Sequence, residues 1–407
     1  MDAKAFQGDP RLLISRAALL HNAALVRRAV APDVRVCGMV KADAYGHGAA
    51  IVADALCHFA ADAKDGTTPA RPAVDALAVA TIDEAGALPV TGVPILVLQP
   101  IENAFIGRAK ARIEHAVRMG YELTLTSKSA ADDIARIAAA VSRRASVQVM
   151  IDTGMARSGA SIHRALELID RIANWPSLRV AGVCTHFASA ELPGDPFTAE
   201  QMASFQTLTA PFAGAVPRHA SNSAGTFFVP EAHFDMVRPG IALYGIDPTC
   251  RPSMDRPLRP VMKWTAPLVG IRDIPQGTSV GYNQTWRAPR DTRIGLVPVG
   301  YADGYPRIFG NKAVMMVHHR AAAVVGRISM DLTTIDLTDI PHAAIGDDVT
   351  ILDSDPLSPC SAYKLAEWAG TIPYEIFCRI GQRMKRVAVD PEDTPGELVA
   401  ADEAGAY

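Results

Sequence analysis

One lysine occupies an unusual place for an ammonium group. Lys41 follows the uncharged run Val36–Val40, which has the length and composition of a buried strand, and it precedes a tyrosine and two glycines that flank a histidine. Lysine is almost never buried without a partner. A desolvated lysine has a lowered pKa, which makes its amine a nucleophile towards an aldehyde. Lys41 is therefore a candidate Schiff-base lysine, although a solvated loop lysine fits the same local sequence.

Further polar side chains of catalytic types stand where other apolar runs end. Arg157 and His186 each follow one such run, Ser223 stands at the start of a short helical segment, and Arg238 precedes a late apolar run. Taken singly, each fits a loop cation, a core histidine or a helix cap. Together they predict one rim of an active site, because catalytic residues of parallel barrels lie at the carboxyl ends of the strands.

The elements that position these residues follow a regular alternation. Short apolar runs alternate with helical patterns up to about residue 244, and about eight such units in about 210 residues predict a parallel (β/α)8 TIM-type barrel. Ser127 is expected to cap one of the helices. The predicted strands are Val36–Val40, Ala76–Ala80, Ile95–Leu98, Glu122–Thr126, Val147–Ile151, Val180–Thr185, Arg218–Ser221 and Ile241–Tyr244.

The pattern changes after Pro248, where strand-like runs separated by turn residues replace the helical periodicity. The predicted fold class is α/β, with a barrel domain over residues 1–248 and a C-terminal mainly-β domain over residues 249–390. Residues 391–407 form an acidic, Pro- and Ala-containing tail that is expected to be mobile. The predicted elements of the second domain are the strands Leu268–Ile271, Ile294–Val299, Ala321–Val325, Met330–Leu337 and Asp348–Leu352 and a helix over Ala362–Gly370.

Composition narrows the function classes. The net charge of -3, with no basic stripe, argues against nucleic-acid binding. No apolar run approaches the length that crosses a membrane, and the N-terminal residues contain no signal-peptide core. The six cysteines are scattered, without metal-ligand spacing, so we expect reduced thiols, no metal site and a cytoplasmic location.

A second set of residues predicts a phosphate site. The helix start at Asn222–Gly225, with Gly240 and Ile241 expected nearby, offers backbone N–H groups and the Ser223 hydroxyl. Its late position in the barrel matches the usual phosphate site of such folds. A phosphate cradle, a Schiff-base lysine and a stacking histidine together imply pyridoxal phosphate.

These motifs together resemble the alanine racemases, which are fold-type III pyridoxal-phosphate enzymes, over nearly the whole chain. Each motif alone is weak, but all eight stand in the family's order. The matching segments are 40–48 (VKADAYGHG), 151–157 (IDTGMAR), 185–187 (THF), 238–245 (RPGIALYG), 281–282 (GY), 300–304 (GYADG), 326–331 (GRISMD) and 366–375 (AEWAGTIPYE).

The resemblance implies a role for each matching residue. Lys41 and Tyr282 would act as two bases on opposite faces of the substrate, and Lys41 would also hold the cofactor. The family pattern places Tyr282 on the β domain of a partner subunit, which implies a homodimer with shared active sites. The other implied roles are phosphate binding by Tyr45, Ser223, Gly240, Ile241 and Tyr374, contact with the pyridine ring by His186 and Arg238, and binding of a small amino-acid substrate by Arg157, Tyr301 and Met330.

Two features bear on the reaction and its substrate. Arg238 faces the pyridine nitrogen in the family pattern, where a related decarboxylase is expected to place a carboxylate. Met150 stands where much of the family has a carbamylated lysine that holds the arginine matched by Arg157. We therefore expect Arg157 to be oriented by a chloride, by another carboxylate, or less firmly. Ser329 and Asn283 stand where cysteine and glycine are common, which leaves substrate breadth open.

The resemblance thus implies an isomerase that interconverts L- and D-alanine, for peptidoglycan or for alanine catabolism. A broad-specificity or serine racemase is the main alternative. A decarboxylase or aldolase on the same barrel is opposed by Arg238 and Tyr282. A pyridoxal-phosphate carrier protein resembles the barrel alone, whereas this chain continues into a β domain.

Overall fold

A parallel sheet of eight strands forms the first half of the molecule. The computed structural model describes residues 9–58, 72–192 and 194–390, so the predicted mobile tail at 391–407 lies outside the described residues. Most strand residues are buried, as expected for a parallel sheet covered by helices. In chain order, barrel strands one to eight are Arg35–Met39, Ala76–Val79, Ile95–Val97, Glu122–Leu125, Ala145–Met150, Leu178–Cys184, Arg218–His219 and Met236–Val237.

Helices connect these strands and cover the sheet. In the helix Lys128–Ala140 the predicted cap is confirmed, because the Ser127 hydroxyl accepts a hydrogen bond from the Ala130 N–H. The helices of the barrel half are Arg16–Ala29, Ala49–His58, Ile82–Ala87, Ala109–Met119, Lys128–Ala140, Ile162–Ala173, Pro196–Thr209 and Ser223–Phe228, and Lys41–Tyr45 forms a left-handed turn.

The eighth barrel strand differs from the prediction. It is Met236–Val237, which pairs in parallel with Arg35 and Val36 of the first strand. The predicted strand Ile241–Tyr244 is wrong, since these residues form successive turns in which the N–H of Tyr244 donates to the Ile241 carbonyl. The segment is apolar because it is fully buried, and a short buried apolar run does not distinguish a strand from a turn.

The sheet closes between its seventh and eighth strands. The Asp235 N–H donates to the Arg218 carbonyl over 3.0 Å, and the Arg238 N–H donates to the Ser221 carbonyl over 2.8 Å. All eight strands therefore surround one core, and their carboxyl ends form a single rim, as the predicted (β/α)8 fold requires.

The second half of the molecule is mainly β, as predicted. Two helices follow its strands, Ala362–Ala369 and Pro373–Cys378. The first of these confirms the predicted helix, and Gly370 ends it with a φ of 67°. The strands are Met262–Pro267, Gly270–Ile274, Ser279–Val280, Trp286–Arg287, Thr292–Val297, Val314–Val317, Arg320–Ala323, Thr333–Asp336, Asp348–Leu352 and Lys385–Val389.

An additional strand joins this second sheet from the other end of the chain. Arg11–Ser15 pairs antiparallel with Met262–Pro267 and parallel with Lys385–Val389. The division at residues 248 and 249 stays a prediction, and the strand Arg11–Ser15 connects the start of the chain to the β half. No helix of the described residues is long and apolar enough to span a membrane.

Candidate active site

Lys41 lies where the first barrel strand ends, at the start of a left-handed turn. Residues Ala42–Tyr45 all have φ between 53° and 54°, a region that non-glycine residues rarely occupy. Left-handed helical backbone costs about 1–2 kcal/mol for each such residue, so the surroundings must hold the turn. Backbone bonds from Ala44 to the Val40 carbonyl and from Gly46 to the Ala42 carbonyl close it. Strain of this kind marks functional sites.

The surroundings of Lys41 favour its neutral amine. Burial is the largest cause of its lowered pKa, and the Arg157 guanidinium lowers it further by charge repulsion. Arg238 acts in the same direction, whereas Glu84 and Cys378 act in the opposite one. The structure therefore gives Lys41 the property that the sequence predicts for a nucleophilic amine.

A cradle for an anion lies beside this turn. The Ser223 hydroxyl accepts hydrogen bonds from the N–H groups of Gly240, over 2.9 Å, and Ala242, over 3.3 Å. A Cβ at Gly240 would stand 2.4 Å from the Tyr45 hydroxyl oxygen, so the space in front of that hydroxyl depends on glycine. The Tyr374 ring lies 6.0 Å from the Tyr45 ring, centroid to centroid.

Both tyrosines stay neutral hydroxyl donors. Burial raises the pKa of Tyr45 and of Tyr374. The nearby Tyr45 hydroxyl raises the pKa of Tyr374 further. The predicted residues Tyr45, Ser223, Gly240 and Tyr374 are thus brought together, and Ile241 follows directly in the chain. The Tyr45 and Ser223 hydroxyls both lie against Gly240, and the Tyr374 ring packs beside the Tyr45 ring.

Arg238 is a buried cation at the base of the same rim. Its Nη2 atom donates to the Thr185 carbonyl over 2.7 Å and to the Ala220 carbonyl over 3.1 Å. Its Nη1 atom lies 2.5 Å from Nδ1 of His219. Burial lowers the pKa of Arg238, but a guanidinium titrates so high that it stays protonated. It is a fixed hydrogen-bond donor.

Behind Arg238 runs a chain of polar side chains that the sequence analysis did not identify. His219 Nε2 lies 3.0 Å from the Gln148 Oε1 atom, and Gln148 Nε2 donates to the Glu122 carboxylate over 2.6 Å. Burial and the Arg238 charge hold the pKa of His219 well below its usual value. The available signal was the presence of Gln148 in the strand Ala145–Met150, whose other residues are mostly apolar.

His186 lies next to Arg238, as predicted. Its Nδ1 atom is 3.4 Å from Arg238 Nη2. Burial, together with Arg238, Arg157 and Lys41, lowers the pKa of His186 to about 3, so its imidazole is neutral. A neutral, nearly buried ring of this kind offers a stacking surface instead of a charge.

Arg157 lies in an exposed loop that Asp152 shapes. The Asp152 carboxylate accepts hydrogen bonds from the Gly154 and Ala156 N–H groups. Met150 is buried and receives a contact from the Ser158 hydroxyl to its sulfur. Within the described ranges, no carboxylate pairs with the Arg157 guanidinium at ion-pair distance. Its charge nevertheless acts on Lys41 and His186.

The remaining three predicted residues lie on the β half, and their side chains are exposed. Tyr282, Tyr301 and Met330 are 65%, 42% and 53% exposed. The Tyr301 N–H donates to the Ser329 carbonyl and the Ala302 N–H to the Met330 carbonyl, so Tyr301 and Met330 share one loop pair. In the part of the chain that the structure describes, no hydrogen bond or ring contact joins these three side chains to Lys41.

Fold and site together define a barrel enzyme in which a lysine of lowered pKa, a buried arginine and an anion cradle share one rim. Comparison of the sequence with models of known protein families identifies the family within this class. The model of the family "Alanine racemase, N-terminal domain" matches residues 14–248, and that of "Alanine racemase, C-terminal domain" matches residues 261–388. The chain belongs to the alanine racemase family.

Relatives and solved structures agree with this assignment. An alanine racemase of Chlorobaculum tepidum is 35% identical over 93% of this chain and 94% of its own. A structure of the alanine racemase of Clostridium difficile 630 superposes with a TM-score of 0.82 at 29% identity, covering 95% and 97% of the two chains. An alanine racemase of Bartonella henselae, solved with covalently bound pyridoxal phosphate, gives a TM-score of 0.79 at 28% identity over 94% and 99%.

Proposed function

We propose that this chain interconverts L-alanine and D-alanine with pyridoxal phosphate as its cofactor. One juxtaposition supports the proposal most strongly. The Lys41 amine, with its lowered pKa, shares a rim with the Arg238 guanidinium and the cradle around Ser223 and Gly240. An aldehyde, a pyridine nitrogen and a phosphate on one molecule match these three partners.

The residues present fit the cofactor. The space that a side chain at Gly240 would fill lies against the Tyr45 hydroxyl, and the Ser223 hydroxyl bonds the N–H of the same glycine. When bound, pyridoxal phosphate supplies an electron sink that makes the substrate Cα proton removable. Lys41 would hold the aldehyde carbon and His186 would lie at the ring. The phosphate would be bound by Tyr45, Ser223, Gly240, Ile241 and Tyr374.

Arg238 controls which reaction this site favours. A guanidinium keeps its protons, so Arg238 would donate a hydrogen bond to the pyridine nitrogen without transferring a proton to it. The contacts of Arg238 with His219, Thr185 and Ala220 fix it in that role. An unprotonated pyridine ring would withdraw electrons less strongly than a protonated one. This property suits a racemase, because a short-lived negative charge at Cα is reprotonated at Cα before a side reaction can occur.

Inversion at Cα needs one proton-transfer group on each face of the substrate. Lys41 acts on one face, and its lowered pKa leaves the amine able to accept a proton. Tyr282 acts on the other face. Because Tyr282 lies exposed on the β half, the partner subunit's Tyr282 would complete the site in a homodimer.

The substrate carboxylate defines the remaining contacts. Arg157 offers a cation at the rim, and Met330 of the partner subunit offers a backbone N–H beside Tyr301. A guanidinium and an N–H group pair with a carboxylate through charge-assisted hydrogen bonds. Met150 contacts Ser158, the residue after Arg157, and Ser329 directly precedes Met330. Both positions bear on which amino acids are accepted, with serine as the first alternative to alanine.

Hydrogen exchange at Cα tests the reaction directly. Purified protein is loaded with pyridoxal phosphate in heavy water and supplied with L-alanine or D-alanine, and proton NMR follows the Cα signal while a chiral assay follows the enantiomer ratio. We expect both substrates to lose the Cα proton and to converge on equal amounts of the two enantiomers. A carrier protein leaves both substrates unchanged, and a decarboxylase releases carbon dioxide.

Substrate breadth is measured in the same assay. L-serine and L-lysine replace alanine at equal concentration, and a strong preference for alanine would mean that Met150 and Ser329 leave the substrate pocket narrow. Comparable rates on all three amino acids would instead favour the broad-specificity alternative. Unchanged enantiomer ratios for every substrate would overturn the racemase proposal.

A further inference from the structure

The turn that carries Lys41 is held from outside as well as from within. Its left-handed backbone begins at Ala42, the residue directly after Lys41. The Ala42 N–H has its hydrogen-bond partner on another element: it donates to the Glu84 carboxylate over 3.0 Å. Glu84 belongs to the helix Ile82–Ala87, which follows the neighbouring barrel strand. A side chain of one βα unit therefore fixes the turn of the preceding one.

Both oxygens of Glu84 are engaged. Oε1 receives the Ala42 N–H, while Oε2 receives the N–H of Ala80 over 2.6 Å and that of Thr81 over 3.2 Å. The Thr81 hydroxyl in turn accepts from the Glu84 N–H, which completes a capping box. A capping box accounts for the bonds at Thr81. It does not account for the bond to Ala42, which reaches the adjacent strand end.

The charge of Glu84 also bears on Lys41. Groups from four elements act on the Lys41 ammonium: Arg157 and Arg238 repel it, while Glu84 and Cys378 favour it. Burial acts in the same direction as the two arginines. Glu84 thus opposes the arginines with a full negative charge, provided by the same carboxylate that holds the turn.

We propose that Glu84 is a positioning residue for Lys41, which fixes the left-handed turn behind it and balances the two arginines in front of it. The inference rests on the proposed role of Lys41. Among the described residues, no hydrogen bond or ion pair joins the Glu84 side chain to the Lys41 amine or to the anion cradle. Glu84 acts through its hydrogen bond to the Ala42 N–H and through its charge. Its removal should therefore change the pKa of Lys41 and the mobility of the turn that carries it.

Competition labelling of the Lys41 amine tests this. The full-length chain, freed of cofactor with hydroxylamine, is labelled with acetic anhydride between pH 6 and 11, and mass spectrometry quantifies the Lys41 peptide. The variant is Glu84→Gln, which keeps the size of the side chain and removes its charge. Asp83→Asn is the matched control, since Asp83 lies on the same helix and pairs with Arg112 at the surface.

The midpoint of labelling in E84Q is expected at lower pH than in the wild type, because the repulsion by the arginines is no longer opposed. Below the midpoint the Lys41 amine of E84Q should react roughly threefold faster or more, and D83N should match the wild type. A midpoint in E84Q that equals that of D83N, or that moves to higher pH, overturns the proposal.

Hydrogen exchange of the peptide covering residues 40–48 gives a second measure. Glu84→Asp keeps the charge but is one methylene too short to bridge Ala42 and Ala80, so the amides of the turn should exchange faster while the labelling midpoint stays near that of the wild type. Equal exchange in E84D and the wild type contradicts the positioning role. Reduction of the loaded wild type with borohydride, followed by peptide mapping, tests separately whether Lys41 holds the cofactor.

Discussion

Arg238 donates a hydrogen bond to Nδ1 of His219 over 2.5 Å, and this contact determines the state of the histidine. A guanidinium has protons to give and none to accept, so Nδ1 is an acceptor and the imidazole is neutral. Its proton therefore lies on Nε2 and points at Gln148, which donates onward to Glu122. The hydrogen bonds of this network all donate in the same direction, from the Arg238 guanidinium towards the Glu122 carboxylate. His219, Gln148 and Glu122 thus hold Arg238 as a hydrogen-bond donor from within the barrel.

Replacing His219 with phenylalanine removes the imidazole that accepts the hydrogen bond from Arg238 and donates to Gln148. Arg238 Nη1 and Gln148 Oε1 then lose a buried partner, and we expect a loss of about 2–5 kcal/mol in the free energy of unfolding. Urea denaturation of the cofactor-free chain measures it. His163 is 86% exposed in its side chain and provides the control, H163F, for which a change near zero is expected. Equal stability of H219F and H163F would show that the chain does not hold Arg238.

Arg157→Gln should change both substrate binding and pH dependence. Loss of a charged hydrogen bond to the substrate carboxylate raises KM for alanine by roughly 10- to 100-fold. Because Arg157 lowers the pKa of Lys41, its removal raises that pKa, and the acid limb of the kcat/KM profile moves to higher pH. Stopped assays from pH 6 to 10 record both effects. Arg164→Gln, on the next helix, is the control and should leave the profile unmoved.

Glycine at position 240 is required by the close approach of the Tyr45 hydroxyl. Gly240→Ala places a methyl group 2.4 Å from that oxygen, so the cradle must widen or lose its donor. We expect the dissociation constant for pyridoxal phosphate to rise roughly tenfold or more. Equilibrium dialysis measures it. Gly86→Ala is the matched control, since a Cβ there meets nothing closer than 3.9 Å and helix propensity favours alanine. Unchanged affinity in G240A would exclude the cradle as the phosphate site.

A shared site predicts complementation between two inactive variants. Lys41→Ala and Tyr282→Phe each abolish racemisation in their own homodimer. If the partner's Tyr282 completes each site, co-refolded equal mixtures recover about a quarter of the wild-type activity, since half of the dimers are mixed and each has one intact site. If both residues act within one chain, the mixture stays inactive. Activity per protomer should also fall on dilution below the dimer dissociation constant.

The rim residues were predictable because each lies at a place with a local signature. Lys41, His186 and Arg238 stand beside short apolar runs, and the carboxyl ends of parallel strands meet by construction. The eighth strand was not predictable in the same way. Met236–Val237 is only two residues long, and the more apolar segment after it forms buried turns. Apolar composition reports burial, and it reports backbone geometry only in longer runs.

The supporting residues escaped prediction for a different reason. Glu84 reads from the sequence as an ordinary helix-start glutamate, and its second role depends on the left-handed backbone after Lys41. Gln148 and Glu122 belong to neighbouring strands, and their contact requires the register Leu123↔Val147. Such pairings are properties of the closed barrel. The exposure of Tyr282 is likewise visible only once the two halves are placed.

The pairing of Arg11–Ser15 with Met262–Pro267 and Lys385–Val389 has a consequence for synthesis of the protein. Both neighbours of Arg11–Ser15 lie after the barrel strands in the chain, so all of the barrel strands are synthesised before this part of the second sheet can assemble. Until then, Leu12 and Ile14, both fully buried in the finished molecule, have no sheet to cover them. The second sheet can therefore be completed only after Lys385–Val389 has been synthesised.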